Sequence, residues 1–149
     1  MHVTWELSCT PQASAHARAL VGERLEFYGL GELAENALVV TSEMVTNAVR
    51  HGTSHSGVDL ALQLTGDAPE HCCVHVVVRD HGPGADLLRL HHESAPSDVL
   101  AASGRGLVLI EELAQAWGDT NGPDGHTVWA CLRCERSGQS GRAPRATGA

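Results

Sequence analysis

Two short alternating runs constrain the fold more than any other feature of the chain. In Val58-Asp59-Leu60-Ala61-Leu62-Gln63-Leu64, apolar side chains recur at every second position, the period of a strand with one buried face. Cys73 to Asp80 is a second strand-like run, and Gly66-Asp67-Ala68-Pro69 between them is turn chemistry, so the two are predicted to pair as an antiparallel hairpin. A sheet with one apolar face needs a second layer, and helical spacing supplies it. Thr10-Pro11 is expected to open a first helix as N-cap and N1, with Ala13, Ala17, Leu20, Val21, Leu25 and Tyr28 on its inner stripe. Gly29-Leu30-Gly31 stops it, and a second helix runs from Leu33 to His51 with Leu33, Ala37, Val40, Met44 and Ala48 as its buried stripe.

The remaining elements are a strand at Val3–Leu7, a third helix from Leu107 to Ala116, a strand from Ala116 to Thr120, and a last strand from Thr127 to Arg133. This order predicts an α+β fold, a two-layer α/β sandwich with helices on one face of a mixed, largely antiparallel sheet. About twenty residues from Gly82 to Ser103 lack a sustained period, which is long for a connection and suggests a functional lid. Residues 1–134 are expected to form one domain. Residues 135–149, rich in Ser, Gly, Arg and Ala, have little to bury and are expected to be a disordered tail.

Composition removes several functions. Eighteen acidic against ten basic residues give a net charge of −8, opposite to the basic footprint of a nucleic-acid binder. No apolar run is long enough to cross a membrane, and the first residues lack the basic and apolar regions of a signal peptide, so a cytoplasmic location is expected. The five cysteines are then expected to be reduced. Cys131 and Cys134 form a CxxC at the end of a strand, where residues three apart point to opposite faces, which disfavours zinc.

Three stretches carry candidate chemistry. In Ser42-Glu43-Met44-Val45-Thr46-Asn47-Ala48-Val49-Arg50-His51-Gly52, the side chains of Glu43, Asn47 and His51 are spaced by four and line one helical face. A carboxylate and an amide oxygen one turn apart suit Mg²⁺, which takes few protein oxygens and keeps positions for water and phosphate; the alternative is a solvated face. Asp80 ends an apolar strand before His81-Gly82-Pro83-Gly84, where its carboxylate either meets a donor such as an adenine amino group or caps the turn. Gly104-Arg105-Gly106 opens the third helix and offers backbone N–H groups to an anion, or serves only capping and tight packing. Arg105 either touches phosphate or faces solvent.

The ordered set Glu43-x-x-x-Asn47, Asp80-x-Gly82-x-Gly84, Gly104-Arg105-Gly106-Leu107 and Gly125-His126-Thr127 resembles the motif series of the GHKL ATP-binding superfamily. Within it the chain is most similar to the small anti-sigma-factor serine/threonine kinases, in which SE-x-VTNAV-x-HG is a typical first box. The resemblance implies a Bergerat ATP-binding fold with ATP and Mg²⁺ as cofactors. It implies Glu43 as general base, Asn47 as the Mg²⁺ ligand, Asp80 as the base-recognition carboxylate and Thr127 as its helper. Gly82, Gly84, Gly104, Arg105, Gly106 and Leu107 would then surround the nucleotide, with His51 facing phosphate or packing. It further implies a homodimer in a partner switch, holding a sigma factor and phosphorylating a STAS-domain antagonist. The rival is an ATP-gated protein-binding regulator without phosphotransfer.

Overall fold

A computed structural model describes residues 1–51, 57–66, 72–82, 104–123 and 125–133. In chain order the elements are β1 (His2–Leu7), α1 (Ala13–Phe27), α2 (Gly31–His51), β2 (Val58–Thr65), β3 (Cys73–Asp80), α3 (Gly104–Leu113), β4 (Ala116–Gly122) and β5 (Gly125–Arg133). The strands form one sheet in the order β1-β2-β3-β5-β4. Every pairing among them is antiparallel, so the described sheet has no parallel member. The predicted hairpin is present, with Val58 opposite Asp80 and Thr65 opposite Cys73. The α+β two-layer sandwich is therefore observed. Gly52, Gly84, most of the lid, Cys134 and the tail lie outside the described residues.

Local sequence explains the helix boundaries, with corrections at the start of α1 and at both ends of α3, which stops at Leu113 rather than Ala116. Thr10 is not the N-cap of α1: the cap position is Gln12, in helical conformation and without a side-chain cap bond. Thr10 instead closes a preceding turn, its carbonyl accepting from Ala13 N–H at 3.0 Å. The far end of α1 is a Schellman stop. Gly29 takes φ 69°, its N–H donates to the Glu26 carbonyl, and Leu30 N–H reaches back to the Leu25 carbonyl at 2.8 Å. Leu25 and Leu30 are both buried, the apolar contact that accompanies such a stop. α3 starts at Gly104, three residues before the expected Leu107, so the glycine motif lies within its first turn.

One face of the sheet carries the core. Val58, Leu60 and Leu62 of β2, Val74, Val76 and Val78 of β3, and Val128, Ala130 and Leu132 of β5 are buried against the helices. The five-residue stripe predicted for α2 is buried in full. α2 packs on α1, α3, β2, β3 and β5, which makes it the centre of the helical layer. No described helix is long and apolar enough to cross a membrane.

The β4–β5 turn depends on Gly125. It takes φ 132°, and a Cβ there would overlap the Asp80 carbonyl oxygen of β3. Because backbone on both sides is held in the ladder, Gly125→Ala is expected to lower unfolding stability by about 3 kcal/mol, combining left-handed strain with a backbone clash. Urea denaturation checks it.

Candidate functional site

α2 delivers the first part of the site. Its rotation is set from outside by Ser42, whose hydroxyl lies 2.7 Å from that of Ser14 on α1 and accepts from Arg18 Nη1 at 2.8 Å. The apolar stripe on the other flank sinks into the core, and the residues between the two are turned toward the open end of the sheet. Asn47 is only 4% exposed, so it is not part of a solvated face. His51 is half-buried, and its Nε2 has no hydrogen-bond partner among the described residues.

β3 delivers the second part. Asp80 is the last residue of the strand and points to the helical side, 4% exposed, while the next residue, His81, turns outward to an ion-pair distance of 3.2 Å from Asp59. The turn-capping alternative for Asp80 is observed, and it uses one of the two carboxylate oxygens. Oδ1 accepts the Gly82 N–H at 3.0 Å and closes the turn, while Oδ2 faces the interior. Asn47, Ala48, His51, Val78, Asp80, His126 and Val128 line a common cavity of about 10 Å³. Three residues singled out in the sequence, Asn47, His51 and Asp80, are thus brought together from positions as far apart as 33 residues in the chain.

Thr127 is not brought there. β5 pairs Asp80 with His126 and Arg79 with Thr127, and paired residues share a face, so His126 stands on the inner face with Asp80 and Thr127 on the outer. His126 is 3% exposed, with Nε2 2.7 Å from Asp119 Oδ2 on β4 and Nδ1 3.6 Å from Asp80 Oδ2. The expected place of Thr127 beside Asp80 is therefore corrected to His126. A sequence signal for it existed: Val128, Ala130 and Leu132 mark the even positions of β5 as inward, and His126 continues that series.

The glycine motif opens α3 directly against Glu43. Gly106 is buried, and a Cβ built on it would stand 2.5 Å from Glu43 Oε2, so the carboxylate rests against the first turn of α3. Free N–H groups and the positive end of a helix favour an anion there. Leu107 is 2% exposed in the core and anchors the helix; Arg105 is exposed. Gly106→Ala is expected to push the flexible Glu43 carboxylate aside and cost about 1 kcal/mol or less of stability, because the far end of a side chain gives way more easily than backbone. A thermal melt checks the stability, and any Glu43-dependent activity should fall by tenfold or more.

Among the described residues no group of three or more metal-ligating side chains is assembled. Burial pushes the Cys131 thiol up to about 11, with Cys73 beside it adding to the shift, so it holds its proton at neutral pH and is a poor thiolate ligand.

The family model described as histidine kinase-like ATPase domain matches residues 7–132. No curated protein matches the sequence. Among solved structures, the RsbU and RsbW domains of Rv1364c from Mycobacterium tuberculosis are similar at TM-score 0.64 and 25% identity, over 91% of this chain and 33% of that one. This chain thus spans a third of that structure. The SiaB-SiaC complex from Pseudomonas aeruginosa is similar at TM-score 0.60 and 16% identity, over 87% of this chain and 89% of the other, a likeness of fold.

Proposed function

Since the chain belongs to the histidine kinase-like ATPase domain family, we propose that it is an ATP-binding regulatory protein kinase, transferring the γ-phosphoryl group of ATP to a serine or threonine of a STAS-domain antagonist and holding a sigma factor in its other state. The observation that carries the proposal is the convergence of Asn47, His51 and Asp80 on one cavity, with Glu43 against the helix N-terminus alongside. Asp80 Oδ2 accepts from the adenine amino group. The first turn of α3 supplies N–H donors to phosphate oxygens. His51, with a buried ring nitrogen lacking a partner among the described residues, suits a phosphate or its bound water.

A divalent cation fits the donor set: the buried amide of Asn47 is a hard oxygen ligand one turn from a carboxylate, and Mg²⁺ tolerates a single protein ligand when water and phosphate fill the rest. When bound it neutralises charge that develops on the transferred group. Glu43 then orients the acceptor hydroxyl and takes its proton. The similarity to an RsbW-containing structure supports the regulatory role, and the proposal extends to a cytoplasmic homodimer, as the motif resemblance implies.

The test is to incubate the protein with γ-labelled ATP and Mg²⁺ in nucleotide-depleted lysate of its source cells. Label on a small STAS-domain protein is the expected result. Retained ATP without any labelled protein would favour an ATP-gated binding module instead.

A further inference from the structure

Two cysteines meet on the outer face of the sheet, away from the described helices. Odd-numbered residues of β3 and β5 point to that face: Cys73 and Cys131 are half-buried there, while Val74, Ala130 and Leu132 beside them are buried in the core. The ladder sets Cys73 opposite Arg133 and Cys131 opposite His75, so the two cysteines are diagonal neighbours although far apart in the chain. Their thiols are in hydrogen-bonding contact, and the Arg133 guanidinium donates to the Cys73 sulfur. The two sulfurs therefore have different surroundings. Negative charge on Cys73 has a cationic partner reaching it from the opposite strand, whereas burial pushes the Cys131 thiol up to about 11, with Cys73 adding to the shift, so Cys131 keeps its proton until it reacts. The nucleotide site does not use this pair: Asp80 and His126 close the other end of the same ladder and are buried on the other face.

A sulfur beside a cation, with a second thiol in contact, is suited to reversible oxidation. We propose that Cys73 and Cys131 form a reversible redox site, in which Cys73 attacks a hydroperoxide and Cys131 resolves the product to an intramolecular disulfide. In the first step the Cys73 thiolate attacks a peroxide oxygen; the S–O bond forms, the O–O bond breaks, and the leaving oxygen takes a proton from solvent, which leaves a sulfenic acid. In the second, the Cys131 sulfur attacks that of Cys73 as its own proton departs; the S–S bond forms, the S–O bond breaks, and hydroxide leaves with that proton as water. Two electrons pass from the thiol pair to the peroxide, and a dithiol reductant returns them. Diagonal partners stand roughly 7–8 Å apart at Cα, beyond ordinary disulfide reach, so the bond draws the two strands together. Cys73 is the first residue of β3 and Arg133 the last of β5, so the ladder has to yield only at its final rung. A bridge closed in this way is readily reduced, which suits a switch better than a permanent staple.

The experiment treats the reduced protein with hydrogen peroxide, blocks the remaining thiols with iodoacetamide, and maps tryptic peptides by mass spectrometry without reduction. Cleavage after Arg50, Arg79, Arg105 and Arg133 places Cys73 and Cys131 on separate peptides and parts Cys131 from Cys134. The expected result is peptide 51–79 joined to peptide 106–133, with fragmentation assigning the bond to Cys73 rather than Cys72, in a protein that runs as a monomer on a non-reducing gel and is released by a dithiol. Cys131→Ser is expected to leave a sulfenic acid on Cys73 that dimedone captures, with about tenfold more adduct than Cys131 takes in Cys73→Ser. Arg133→Gln, an exposed change that keeps the proposal testable should a serine variant not fold, is expected to slow peroxide-dependent loss of free thiols by about fivefold or more. A bond made chiefly by Cys72 or Cys134, a crosslink between chains, or Cys73 and Cys131 both still alkylated after peroxide overturns the proposal. So does equal dimedone adduct in the two serine variants, which would remove the division of roles. No nucleotide is added, so the outcome is independent of the ATP assignment.

Discussion

Replacing Glu43 with alanine is expected to reduce phosphotransfer about 10³-fold while changing ATP affinity less than about threefold, the size of effect that a positioned general base contributes. The expectation follows from where the carboxylate lies. Glu43 is half-buried on α2 with Oε2 against Gly106 at the first turn of α3, and it is not among the residues lining the cavity with Asp80. Losing it should remove a proton acceptor without disturbing base recognition. Single-turnover transfer of labelled phosphate, measured beside calorimetric ATP binding, separates the two quantities. A different role would leave a different mark: if Glu43 serves chiefly to neutralise the positive end of α3, the alanine variant loses roughly 0.5–1 kcal/mol of stability and transfer falls only in proportion to the folded fraction.

The second large effect is on binding. Asp80→Asn should weaken ATP by about 30-fold, equivalent to ~2 kcal/mol for loss of a buried charge-assisted hydrogen bond. Stability should change by less than about 1 kcal/mol, because the asparagine carbonyl can still accept the Gly82 N–H that closes the turn. Equal ATP affinity in the two proteins would remove Asp80 from base recognition.

Much of the helical layer was legible because helix burial is a local property. The stripe from Leu33 to Ala48 is spaced at the period of the helix itself, and every member is buried. The Schellman stop after Phe27 was readable for the same reason, since Gly29 and Leu30 act through bonds to residues within five positions. The start of α1 was less legible. Thr10-Pro11 has the composition of a helix entry, yet a turn closed by the Thr10 carbonyl delays the helix to Ala13, and the competing local hydrogen bond cannot be told apart by composition.

Asn47 shows a different limit. On its own helix it belongs to a polar line that could equally face water, and its spacing from Glu43 and His51 is the same in both cases. It is buried because β3 and β5 pass beneath that part of α2, a fact set by packing of elements distant in sequence. Glu43 likewise acquired its neighbour Gly106 only when α3 docked on α2.

The sequence by itself determined which elements form, their order, the apolar stripe of α2, the Asp80 strand end and the glycine-rich helix entry, because each is written in residue types a few positions apart. Tertiary structure decided that His126 rather than Thr127 meets Asp80, and that Asp119 stands behind the ring. Adjacent residues of a strand point to opposite faces; the alternation of Val128, Ala130 and Leu132 marks the inward face, but which residue of that face stands opposite Asp80 is set by the ladder of β5 with β3.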